Sequence, residues 1–339
     1  MKFNLRDQSF WPANRTAIIA EIGINHGGDE ALALEMIQTA HKNGADFVKL
    51  QSYITKEFLH EDCAYFESIK SMELSFEAQK RLFKKAKEMG INLASTPFDF
   101  HSADLVDEFE PPFFKVASMD NDNVPLLRYI AQKGRIVIVS CGMANLSDVQ
   151  KIVKIMEEAG NEKLILLHCI SDYPAKPEDL NLSMINLLKQ TFGYPAGLSD
   201  HAIGLFSSFI AASLGAAVIE KHFTIDKSLA EKYPDADHEI SILPEELRCL
   251  REFCETAPVM TGNSQKGFTE KETAKGQEIK RGLYARRDIE GGEKISLENT
   301  VLLRPVRGIK AALWDEVNGK TAKRKILRHQ PILFSDLNL

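Results

Sequence analysis

Between Thr16 and Phe223 the chain repeats one pattern eight times: a short, almost continuously apolar run followed by a segment with helical spacing. The apolar runs are 16–23, 45–52, 91–98, 112–118, 135–142, 162–169, 195–201 and 216–223. Between them, 29–43, 76–89, 101–109, 124–133, 145–159, 182–191 and 204–214 read as helices. Strands that are apolar on both faces belong to parallel sheets covered by helices. Eight such units in about 250 residues predict an α/β fold, the (β/α)8 TIM barrel. A doubly wound open sheet would usually carry a glycine-rich phosphate loop after its first strand. EIGINHGGDE lacks the GxGxxG spacing.

After Pro258 the texture changes. Residues 266–280 are polar, charged and glycine-containing, which reads as a linker. From 281 to 339 short apolar pieces are punctuated by Gly291, Gly292 and Pro305, as in a small irregular or β domain. The expected organisation is therefore a barrel over 1–265, a linker over 266–280 and a small domain over 281–339. A net charge of −6 gives no basic footprint for nucleic acid. The five cysteines form no CxxC pair, which argues against a disulfide framework or a structural zinc site. Neither a signal-peptide pattern nor a membrane-length apolar run is present, so a cytoplasmic protein is expected.

Barrel active sites gather where the strands end. Glu21, Asn25 and His26 stand at or just beyond the end of the first strand, and Lys49 and Gln51 end the second. Thr96 follows in the third, Lys115 and Ser118 in the fourth, Ser140 in the fifth and His168 in the sixth. Ser199, Asp200 and His201 close the seventh; Glu220 and His222 end the eighth. Lysines inside a barrel cost desolvation unless an anion meets them. The set therefore describes a phosphate or carboxylate site beside metal-ligand candidates, His201 and His222 foremost. Plainer roles stand next to these: an ion pair for either lysine, a satisfied core position for His168, a turn for His26. Asp200 could orient His201 from the second layer of a metal site.

Read in order, EIGINHGG, VKLQS, STPFD, FFKVAS, SCGMA, GLSDH and EKHFT resemble the sialic acid synthase family, whose members make nonulosonic acids. YARRDIEGGEKIS and LLRPVRGI resemble that family's C-terminal antifreeze-like (SAF) domain. The resemblance implies a barrel plus SAF domain in a homodimer whose small domains are swapped, each capping the partner's site. It implies condensation of phosphoenolpyruvate with an N-acylated mannosamine-type sugar and release of inorganic phosphate by C–O cleavage. A divalent metal, Mn²⁺ or Mg²⁺, would be held by His201 and His222, with Glu21 as a catalytic carboxylate. Lys49, Thr96, Lys115, Ser118, Ser140 and Ser199 fall on phosphoenolpyruvate-binding positions. Gln51, Asp120, Tyr173 and Asp237 fall on sugar-side positions, and Arg304 on the capping arginine.

Departures concentrate on the sugar side. ASMD places Asp120 where the sialic-acid-making members have a glutamate; SCGM places Cys141 where they have a threonine. HCISDYP puts Ser171 in place of an asparagine. The loop SLAEKYPDAD exceeds the usual turn, so Asp235 competes with Asp237. A 2,4-diacetamido-trideoxyhexose acceptor, giving legionaminate or pseudaminate, is therefore an alternative. Two rivals lie outside this chemistry: a Schiff-base aldolase using Lys115 or Lys221, and a non-catalytic carbohydrate- or ice-binding protein.

Overall fold

A computed structural model describes residues 2–263 and 265–338. It divides into two compact units, Met1–Gly262 and Asn263–Leu339.

In the first unit eight parallel strands close into a barrel. They are β1 Ala17–Gly23, β2 Phe47–Ser52, β3 Leu93–Pro97, β4 Phe114–Val116, β5 Val137–Ser140, β6 Leu164–Cys169, β7 Ala196–Asp200 and β8 Val218–His222. Each lies within one of the eight apolar runs. The strands are buried almost throughout because helices cover the outside and side chains fill the inside. Register then decides which polar residues meet. Glu21 of β1 pairs with Lys49 of β2 on one side and His222 of β8 on the other. Ser199 of β7 pairs with Glu220 of β8.

One major helix, Pro244–Thr261, was not among those read from the sequence. Its apolar face is sparse, but Leu247, Leu250, Cys254 and Ala257 are buried at helical spacing. Proline in its first turn starts it, and Glu246 caps the backbone N–H of Leu243. Phe253 stacks on Phe209 of the preceding helix with ring centroids 4.3 Å apart.

The segment read as linker also differs. It carries a helix over Glu270–Ile279, begun by a capping box between Thr269 and Glu272. Gln277 O accepts the Val306 backbone N–H at 2.8 Å, so this helix is tied into the second unit. That unit holds two small antiparallel sheets: β9 Gly282–Ala285 with β10 Thr300–Leu303, and β11 Thr321–Ala322 with β12 Leu337–Asn338. They enclose their own core around Leu283, Ile289, Ile295, Ile309 and Ile332. No helix among the described residues is long and apolar enough to cross a membrane.

Candidate active site

Strand alternation sends Glu220 and His222 into the barrel mouth and Lys221 outward. The mouth holds a cavity of about 380 Å³. Its lining includes Glu21, Lys49, Gln51, Thr96, Lys115, Ser118, Ser140, Tyr173, Ser199, His201, His222 and Asp237, which the sequence places among the site residues, and an apolar wall of Tyr53, Phe58, Ile69, Phe98 and Met143, which it does not mark.

The floor is a buried charge cluster. Lys49 Nζ lies 2.5 Å from Glu21 and 3.8 Å from Glu220, and donates to Thr96 Oγ1 at 2.8 Å. Lys115 Nζ lies 3.6 Å from Glu220 and donates to Ser140 Oγ at 2.7 Å. Ser199 Oγ donates to Glu220 at 3.1 Å. Two ammonium groups face two carboxylates where water is scarce. Burial lifts the Glu21 carboxyl to about 7, with Lys49 opposing and Glu220 reinforcing the shift. Burial pushes Glu220 up as well, but Lys115 and Lys49 outweigh it and hold Glu220 below the usual carboxylate range. The two carboxyls therefore titrate apart, Glu21 near neutrality and Glu220 well below it. Burial lowers the Lys115 ammonium. Glu220, noted at its strand end but given no role, is the group that bridges both lysines.

Beside this cluster, where β7 and β8 end, stand two imidazoles with centroids 5.5 Å apart. His201 Nδ1 donates to Ile170 O at 2.8 Å, which leaves the Nε2 lone pair free to accept from the Tyr173 hydroxyl at 3.1 Å. The Tyr173 ring stacks on His201 at 4.1 Å. Burial lowers the His222 pKa, favouring the neutral, ligating form. Among the described residues His222 Nδ1 has no hydrogen-bond partner, and it lies 3.4 Å from an Asp237 oxygen. Among the described residues no group of three or more His, Cys, Asp or Glu is arranged around a metal position. The donor set nevertheless fits an ion held by two imidazoles and completed by solvent or substrate oxygens.

The remaining residues sort differently. Asp200 does not orient His201. It accepts from Ser207 and Ser208 at 2.6 Å each and pairs with buried Lys221 at 3.1 Å, outside the cavity. Lys221 is thereby removed as a Schiff-base candidate. His168 Nε2 meets Leu180 O at 2.6 Å, the satisfied role. Asp120 does not line the cavity; its Oδ1 accepts from Asn123, while Oδ2 is buried without a partner among the described residues. Cys141 lies outside the cavity too, its thiol pushed up to about 12 by burial and therefore unreactive. Ser171 lines the cavity with an unpartnered, buried Oγ. Asp235 also lines it and accepts from Ser68, whereas Asp237 is the one beside His222. Arg304 is exposed in the second unit, its Nε donating to Ile279 O.

Fold and site together define a parallel-barrel enzyme class with a lysine–carboxylate floor, a histidine wall and an appended SAF domain. The NeuB family model matches residues 36–266 and the SAF domain model 280–338, and the chain belongs to the NeuB family. A protein of Methanocaldococcus jannaschii, itself uncharacterized, is 37% identical over 99% of this chain and 98% of its own length. The N,N'-diacetyllegionaminic acid synthase of Campylobacter jejuni is 35% identical over 91% of this chain and 96% of its own length. The N-acetylneuraminic acid synthetase of Leptospira borgpetersenii, solved with citrate, superposes with a TM-score of 0.72. It is 35% identical and covers 77% of this chain and 90% of that one.

Proposed function

We propose that this chain condenses phosphoenolpyruvate with an N-acylated amino-sugar aldehyde of the mannosamine type, forming a nonulosonic acid and inorganic phosphate. The observation that carries the reading is the floor of the cavity. Lys49 and Lys115, both buried and each hydrogen-bonded to a hydroxyl, present two cations to an incoming phosphate and carboxylate. Ser118, Ser140, Ser199 and Thr96 supply neutral donors around them. The methylene carbon of phosphoenolpyruvate attacks the aldehyde carbon, water adds to the adjacent carbon, and phosphate departs with its ester oxygen. Glu21, poised near neutrality, accepts the proton released by that water. Gln51, Tyr173 and Asp237 orient the sugar. His201 and His222 would hold Mn²⁺ or Mg²⁺, which when bound supplies Lewis-acid polarisation of the aldehyde.

A 2,4-diacetamido-trideoxyhexose is the second acceptor considered. The unpartnered Ser171 Oγ in the cavity wall favours it, since this side chain is shorter than the asparagine of sialic-acid-making members and awaits a partner. The likeness to the legionaminic acid synthase points the same way. A Schiff base on Lys115 is disfavoured by its ion pair with Glu220. We further assign the protein to the cytoplasm, where phosphoenolpyruvate is available, and to a homodimer in which Arg304 reaches the partner's sugar.

The test is phosphate release from phosphoenolpyruvate with N-acetylmannosamine, its 6-phosphate and a diacetamido sugar, with and without Mn²⁺. Release that EDTA abolishes is expected with one acceptor. No release with any acceptor, or borohydride trapping of pyruvate instead, overturns the reading.

A further inference from the structure

Two features of the NHGG turn after β1 remain outside the proposed chemistry. Asn25 is fully buried, and all three of its side-chain hydrogen bonds cross to the other end of the barrel unit's sequence. Its amide donates to Phe223 O at 3.0 Å and to Ser241 Oγ at 2.9 Å. Its carbonyl oxygen accepts the backbone N–H of Asp237 at 2.8 Å. Ser241 Oγ in turn donates to Asp237 O at 2.6 Å, so both sides of the Asp237 peptide backbone are gripped. Two residues along, Gly27 adopts φ +56°, and a Cβ there would lie 2.0 Å from the Tyr233 ring. The turn is therefore the seat on which the long loop between β8 and the helix Pro244–Thr261 rests.

That loop carries Asp235 and Asp237 into the cavity wall, and Asp237 faces His222 at 3.4 Å. A loop of this length has many conformations, and ordering it needs specific anchors. Hydrogen bonds to a buried amide serve this purpose, because breaking them leaves donors and acceptors unsatisfied. We propose that Asn25 is a positioning residue that fixes the reach of Asp237 to His222 and so sets acceptor binding without touching either substrate. The proposal rests on the sugar-side role given to Asp237 above.

The experiment is a double-mutant cycle of Asn25→Ala and Asp237→Ala, combined with amide exchange on the full-length chain. Asn25→Ala should lower kcat/KM for the acceptor by about tenfold and leave KM for phosphoenolpyruvate within about twofold. In the Asp237→Ala background the same change should cost less than about twofold, because the two act as a unit. Amides of residues 235–242 should exchange faster in Asn25→Ala while β1 to β8 stay protected. Additive losses, an equal effect on both substrates or unchanged exchange across the loop would each overturn the assignment. Failure of the functional reading is separate: the wild type would then release no phosphate, and the exchange arm would still decide whether Asn25 holds the loop.

Discussion

Glu21 and Glu220 sit in one buried cluster, yet the environment drives their protons apart. Burial and the neighbouring Glu220 lift Glu21 to about 7, while the two lysines hold Glu220 low. A group that accepts a proton must be unprotonated first, so turnover rises with pH as Glu21 titrates. Below pH 7, kcat/KM should fall about tenfold per unit. Glu21→Gln should remove that limb along with most of the activity; a pH profile that keeps the limb in the variant assigns it elsewhere. Glu220 makes a different prediction, because its carboxylate faces both lysines and, among the described residues, is the one within salt-bridge range of Lys115. Glu220→Ala should cost about 3–5 kcal/mol in denaturant unfolding, the cost of stranding a buried charge. Inorganic phosphate should recover part of it by binding the folded state between Lys49 and Lys115. Equal loss with and without phosphate would mean that the lysines do not form an anion site.

At the scale of elements, β7 carries a glycine, Gly197, in its interior. A Cβ at this position would come within 2.1 Å of Val218 O in β8 and 3.0 Å of Leu167 in β6, so the glycine lets three strands approach. Gly197→Ala should destabilise the barrel by about 1–3 kcal/mol or more, read as a lowered urea midpoint. An unchanged midpoint would show that β7 can shift outward at no cost. The same residue shows what a sequence discloses. Continuous apolar runs made the eight strands legible, since burial on both faces leaves few polar positions. Strand-end polarity then made the polar floor of the cavity legible, because inward-pointing residues at the strand ends share one mouth, whereas Tyr53, Phe58, Ile69 and Met143 of the apolar wall lie on loops and short helices and carry no such signal. The role of Glu220 was not legible, for its partners Lys49 and Lys115 come from β2 and β4, six and four strands earlier in the chain, and only barrel closure brings them together. Nor was the helix Pro244–Thr261, whose few apolar residues gain their meaning from the strands they cover. Asn25 escaped for the same reason: its partners lie about 200 positions along the chain.

For the whole molecule, the two units carry opposite charge. Residues 263–339 contain 16 Lys and Arg against 10 Asp and Glu, whereas residues 1–262 contain 26 against 38. A basic unit and an acidic one attract, and the attraction weakens with ionic strength. It does not by itself say whether a SAF domain serves its own barrel or a partner's. The swapped homodimer proposed above answers with the partner's, and co-expression of two defective chains tests it. His201→Ala removes the proposed metal ligand and Arg304→Ala the capping arginine, so each homodimer should be nearly inactive. If caps act across the dimer, the mixed dimer contains one site built from the intact barrel of one chain and the intact Arg304 of the other. Random pairing should then restore about one quarter of wild-type activity. If each cap serves its own barrel, every site in the mixture contains a defect and activity stays at the level of the parents. Recovery that falls as salt is raised would tie the capping to the charge asymmetry, whereas recovery indifferent to salt would assign it to apolar contact instead.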